Sequence, residues 1–415
     1  PFNLTGILFF PKIKNNFEVT KNRIQLYCNQ VYVTDSVEGV VPDFMMLLQG
    51  VIDSPDIPLN VSRSYLQADT AVKKISTYIT KKVASRLDDL FKVDRKEFEQ
   101  KWPDIRIFIE YGMLTDEKFA EQALKFCLLE DTDRKFFTLD EYKALVAPAQ
   151  TAKDDEIVYL YTTDPVAQYN YIKAANDRGY NVLLMDGQLD THFVAMLEQK
   201  LEKTRLVRVD SDVIDNLIPR DSNRTVDLTP TQRNILTGMF SSQTPEVDKA
   251  MFMVSFEALT PADQPIVITQ NEYMRRMKDM AALQPGMNFY GEMPDSYNLV
   301  VNTSHPLIEK LRDEATAALA ASVEPLEKTV ADDNAAIEKL REGAKDGKLD
   351  PEAEQQTKEL ADKVAAARDS QKHLIDDYAA GHPLVRQLID LALLGNGLLR
   401  GRDLSDFIAR SVSLL

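Results

Sequence analysis

Two cysteines in 415 residues, Cys28 and Cys127, and four histidines define what this chain does without. Two thiols far apart in sequence cannot staple a small oxidised domain, so a disulfide framework is excluded and a reducing, cytoplasmic setting is expected. His192, His305, His373 and His382 show no spacing that puts two on one helical face beside a carboxylate or thiolate. No metal site is expected from them. Apolar runs all fall short of the roughly 20 residues that a spanning helix requires, which argues against membrane insertion. A basic surplus is lacking too: 49 Lys and Arg face 65 Asp and Glu, a formal net charge of -16, so nucleic acid is not an expected partner. The chain has no glycine loop with a lysine to cradle phosphates, no G-x-S-x-G elbow and no histidine beside a plausible nucleophile. "GNGLLRG", Gly395 to Gly401, approaches a dinucleotide fingerprint, but its spacing is wrong and a helical pattern precedes it.

What remains is globular in composition, 44% hydrophobic and 27% charged, and too long for one core, so two or three domains are expected. The first residue is Pro1 with no basic and apolar leader behind it, which reads as a fragment or processed chain. "RIQLYCNQVYVT" (Arg23 to Thr34) alternates as half-buried strands do. "VPDFMMLLQGVIDS" (Val41 to Ser54) clusters apolar residues at helical spacing, closed by Gly50 and Pro55. Thr70 to Phe91 reads as a helix with Ala71, Ile75, Ile79, Val83 and Leu87 on one stripe. Helices continue from Phe98 to Leu129, with Trp102 a packing residue. "EIVYLYTT", "PVAQYNYIKAANDRGY" and "NVLLMD" then predict strand, helix and strand, a parallel βαβ unit. Asp210 to Thr231 suits a domain boundary.

Further on, Thr229 suits the cap of a helix and "AMFMVSFEALT" a strand. In "NEYMRRMKDMAAL", Tyr273, Met274, Met277 and Met280 share an arc of roughly 120° at 100° per residue, with Arg275, Lys278 and Asp279 elsewhere. Pro306 to Tyr378 predicts two long helices interrupted by "REGAKDGKLDP", a projecting hairpin. The final 34 residues are strongly apolar. Leu384, Leu388 and Leu391, then Leu404, Phe407 and Ile408, line two short helices, the second capped by Asp403 or Ser405. Two such helices have little core of their own, so a four-helix association with a second copy is expected.

"DIPLNVSRSYLQ" (Asp56 to Gln67) sets Arg63 between two serines, with Pro58 restricting the entry and Asn60 and Ser62 able to bond back to the backbone. On sequence physics alone an arginine in a polar loop is usually a surface ion pair; a held one suits a terminal phosphate. "IPLNVSRSYLQ" resembles the signature of the ninety-kilodalton heat-shock protein family. "LYCNQVYVTD", the stretch from Val41 to Ser54, "EIVYLYTT" and "RGYNVLLMDGQLD" resemble it further, closely over roughly residues 1 to 210.

The resemblance implies an ATP-driven dimeric chaperone for protein folding under stress, here without its N-terminal ATP-binding domain. It implies an α/β middle domain over residues 1–215, with αβα layers. An α+β C-terminal dimerisation domain over 216–415 would follow, carrying a helical hairpin insertion at 306–380. Arg63 would contact the γ-phosphate of ATP held, with Mg, by the missing domain of the same chain. Gln67 would support that closed arrangement, and the fragment alone would be inactive. Tyr273, Met274, Met277 and Met280 would meet unfolded or partly folded clients, burial in the core or dimer cleft being the other reading of that helix. Ser64 departs from the family's usual glutamate, the hairpin exceeds the bacterial pattern, and an ending in "SVSLL" without an acidic pentapeptide suggests a bacterial member. A dimeric structural scaffold and a self-contained α/β nucleotide-binding enzyme built on the crossover unit are the rival functions.

Overall fold

The computed structural model describes residues 3–11, 24–35, 41–42, 44–45, 48–56, 70–220, 224–247, 249–283, 293–342 and 351–413. It is a mixed α/β protein that divides into two compact units, Pro1–Pro165 with Ile172–Arg208, and Val166–Tyr171 with Val209–Leu415.

The first unit opens with β1 (Thr5–Phe9), β2 (Ile24–Cys28), β3 (Val31–Thr34) and β4 (Gln49–Asp53), in the sheet order β1-β4-β2-β3. β2 and β3 are the expected strands, and they pair antiparallel as a hairpin. Its two linking residues, Asn29 and Gln30, both take positive φ (50° and 71°), the backbone that matches a tight turn to strand twist. The helical spacing read over Val41 to Ser54 does not hold at its end: Gln49–Asp53 is an inner strand, antiparallel to β1 and parallel to β2. Short apolar clusters suit either period, and here the open edges of two neighbouring strands decide. Gly50 makes this possible, since its φ is 143° and a Cβ there would stand 1.9 Å from the Ile7 carbonyl oxygen.

α1 (Thr70–Val93) follows, and Ile75, Ile79 and Leu87 of its stripe are buried. α2 (Arg95–Thr115) starts at the Asp94 cap and buries Phe98, Trp102, Ile105, Phe108 and Ile109, while α3 (Glu117–Ala123) starts at the Asp116 cap. Trp102 packs beside Phe98 inside this core. Next come β5 (Leu128–Glu130), β6 (Phe136–Thr138), α4 (Leu139–Gln150), β7 (Ile157–Thr162), α5 (Tyr169–Asp177, of which Tyr169–Tyr171 count with the second unit), β8 (Val182–Leu184), α6 (Asp190–Lys200) and β9 (Thr204–Arg208). β7 pairs in parallel with both β8 and β9, as the continuous apolar runs predict for strands covered on two faces. Gly179, φ 75°, ends α5 in the left-handed turn that lets Tyr180 N–H reach back to the Ala175 carbonyl.

The second unit holds α7 (Ile214–Leu217), α8 (Pro230–Gln243), β10 (Ala250–Glu257), β11 (Ile266–Gln270), α9 (Glu272–Leu283) and β12 (Asp295–Asn302). Thr229 caps α8 as expected, in a reciprocal box with Gln232. The sheet order is β10-β12-β11, with β10 parallel and β11 antiparallel to β12. Then come α10 (Pro306–Glu342), α11 (Pro351–Ala380), α12 (Pro383–Gly395) and α13 (Gly401–Ser413). α10 and α11 pack along each other and against α8. Ile308, Leu311, Leu319 and Val323 of α10 meet Ile375 and Ala379 of α11 in one core with the sheet and α12.

Candidate functional site

Arg63 and Gln67 fall between the end of β4 at Asp53 and the start of α1 at Thr70, outside the described residues, as does Ser64. The other candidate surfaces lie in the second unit.

α9 sets its aromatic residue outward and one arginine inward. Tyr273 stands 70% exposed while Arg275, two residues on, is 6% exposed and donates to Glu272 at 2.9 Å. Arg276 reaches the same carboxylate at 2.6 Å, and Lys278 ties the helix to Asp295 at the head of β12, also at 2.6 Å. These bonds orient α9 by its charged side. Met274 and Met277 are half-buried and Ala281 is covered; the side chain of Met280 lies outside the described residues. Met251 and Met253, alternate residues of β10, are more exposed than Met274 or Met277. The sequence reading passed over them, although strand alternation sets both on one face of β10.

The terminal helices divide their apolar residues between core and surface. Leu388 and Phe407 are buried in the unit's own core, and Leu384 and Leu404 pack against it. Leu391, Leu394, Ile408 and Val412 stay open to solvent. Asp403 does not cap α13 as expected, because the helix begins two residues earlier at Gly401. Its carboxylate instead accepts from Arg386 of α12 at 2.9 Å. Arg386 also donates to the Gln243 carbonyl at 3.0 Å and to Asp390 at 3.1 Å, and Arg410 of α13 closes on Asp390 from the other side. Asp390 is fully buried. Burial pushes its carboxyl above the ordinary value, against the pull of Arg386 and Arg410.

A second ionic cluster lies inside the first unit, one that the sequence alone did not mark. Arg106 of α2 donates to Glu110 one turn later at 2.6 Å, to Asp190 at the start of α6, and lies 3.4 Å from Asp186. The Gly187 amide donates to the Asp190 carboxylate at 2.8 Å. Burial raises the Glu110 carboxyl to about 7 despite Arg106, and Asp190 adds to the rise. Cys127 is wholly buried beside this cluster and its thiol is pushed up by burial, which makes it an inert packing residue. No group of three or more His, Cys, Asp or Glu side chains arranged to hold a metal occurs among the described residues, and no described helix is long and apolar enough to cross a membrane.

The model of the Hsp90 protein family matches residues 1–365, most of the chain. The chain belongs to the Hsp90 family. It is 55% identical to the chaperone protein HtpG of Porphyromonas gingivalis W83 over its whole length and covers 61% of that protein. Against HtpG of Bacteroides thetaiotaomicron the identity is 54%, again over the whole chain and 61% of the relative. HtpG of Wolbachia pipientis wMel is 26% identical over 74% of this chain. The Hsp90 resemblance read from "IPLNVSRSYLQ" therefore holds, and the similarity is to bacterial HtpG proteins. The chain spans about three fifths of the length of these relatives.

Proposed function

We propose that this chain is the client-contacting and self-associating part of an ATP-driven molecular chaperone of the cytoplasm. In this reading residues 1–215 form a middle domain of αβα layers and residues 216–415 a dimerisation domain. The long helices α10 and α11 make its hairpin insertion at 306–380. ATP with Mg belongs to a separate N-terminal domain, to which Arg63 and Gln67 would supply a cation and a supporting amide. Alone, the chain is expected to turn over no ATP.

The observation that carries the reading is α9, which buries Arg275 and holds Tyr273 in solvent. A helix placed only for stability would turn its aromatic inward. Methionine beside it adapts to many partner shapes, which suits a surface meeting varied unfolded segments. Substituting Met274, Met277 and Met280 together by serine is expected to weaken binding of an unfolded client roughly tenfold, about 1.4 kcal/mol. Suppression of that client's aggregation, measured by light scattering, should fall with it. Full suppression by a folded triple variant would remove α9 from the client surface.

For homodimer formation, the residues to change are the exposed ones. Cutting the chain before His382 would also strip Val385, Ile389 and Leu393 from the unit's core, so a truncated chain is a poor probe. Leu391→Glu with Ile408→Glu leaves that core intact. Sedimentation is expected to show a dimer for the parent chain at micromolar concentration and a monomer for the variant, with unchanged circular dichroism. A dimer that persists would move the interface elsewhere.

A further inference from the structure

We infer that Asp390 is the positioning residue of the self-association face, holding α12 and α13 at the one angle that aligns Leu391, Leu394, Ile408 and Val412. The inference rests on the proposed dimer and names what shapes its surface.

The apolar residues that would meet a second copy are split between two helices, two on α12 and two on α13. Whether they form one surface or two depends on how these helices cross. Apolar contacts such as those of Leu388 and Phe407 hold the helices together but tolerate rotation and sliding, because dispersion is nondirectional. A carboxylate between guanidiniums does not tolerate it. Three polar crossings join the helices: Arg410 to Asp390, Arg386 to Asp403 at 2.9 Å, and Gln387 to the Ser411 hydroxyl at 2.9 Å. Arg386 extends the frame to the end of α8 through the Gln243 carbonyl.

Asp390 is the centre of this frame. It is fully buried, it directly precedes Leu391, and two cations from different helices converge on it. Buried ion pairs of this kind contribute little net stability against apolar residues of similar size. What a buried polar contact supplies is register, as a single buried polar residue does in a helical coil. Stability and dimer geometry should therefore separate on substitution.

The test uses the whole chain and two readouts, thermal midpoint and dimer dissociation constant from sedimentation. Asp390→Leu with Arg410→Met replaces the Asp390–Arg410 pair by apolar groups and leaves Arg386 bound to Asp403 and the Gln243 carbonyl. It is expected to melt within a few degrees of the parent yet dimerise at least tenfold more weakly. Asp390→Glu keeps the charge and should stay within about threefold of the parent. A folded double variant with the parent's dimer constant overturns the inference. Should the double variant fail to fold, Arg410→Lys carries the test. It keeps charge but not the planar fork, and is expected to weaken the dimer several-fold with its melting unchanged; an unaltered dimer constant refutes the role. A monomeric parent chain at micromolar concentration would instead refute the dimer itself.

Discussion

Replacing Arg106 by methionine is expected to cost the first unit about 3–5 kcal/mol at pH 8, the usual penalty for stranding buried charge. Glu110 and Asp190, both nearly inaccessible, share this guanidinium and would lose it together. Trp102 is the chain's single tryptophan and lies one turn away on the same helix, so its fluorescence in urea reports on this unit. The same cluster sets a pH dependence. Folding raises the Glu110 carboxyl from 4.5 to about 7, so the fold favours its protonated form. Glu110 therefore contributes stability that is full below about pH 4.5 and fades as pH rises through about 7, at most roughly 3 kcal/mol. Glu110→Gln mimics the protonated form. The stability of the variant relative to the parent should rise across that window and level off above it, while the Arg106→Met penalty should shrink at pH 5. Parallel curves for parent and Glu110→Gln would show that folding leaves the Glu110 carboxyl unshifted.

Arg63→Ala in a full-length protein carrying the ATP-binding domain is expected to lower hydrolysis roughly 100-fold or more, with ATP affinity changed less than threefold. The asymmetry follows from where the charge acts. A guanidinium presented to the γ-phosphate stabilises charge that spreads over the transferred group in the transition state, and such arginines are worth about 10³ or more in turnover. Base and sugar contacts, which dominate ground-state binding, would come from the other domain. Arg63→Lys should recover little, since a point charge does not reproduce the planar fork. Steady-state turnover and a nucleotide titration separate the two effects. Turnover at the parent rate in Arg63→Ala would end the proposed role, and a parallel loss of ATP affinity would make Arg63 a binding residue.

Several elements were legible in the residues because one local signal sufficed. The alternation of "RIQLYCNQVYVT" became β2 and β3, the four-residue stripe from Ile75 to Leu87 became the buried side of α1, and Thr229 with Gln232 became a capping box. Misreadings arose where a neighbour distant in sequence decided. Gln49–Asp53 had a helix's spacing, but β1 and β2 offered hydrogen bonds on both sides. Asp403 looked like a cap until Arg386, 17 residues earlier, claimed its carboxylate.

For the sites, sequence alone determined the family, through "IPLNVSRSYLQ" and its companion stretches, and marked the Tyr273 and Met277 arc by its helical period. These are properties of adjacent residues. Tertiary structure decided which apolar residues remain outside: Leu388 and Phe407 went to the core, while Leu391 and Ile408 stayed in solvent. It also converted Arg106 and Glu110, spaced like an ordinary surface pair, into a buried cluster by bringing Asp190 to them across 84 positions. Periodicity tells which side chains share a face. What that face meets, and hence its burial and charge state, depends on elements folded against it from elsewhere in the chain.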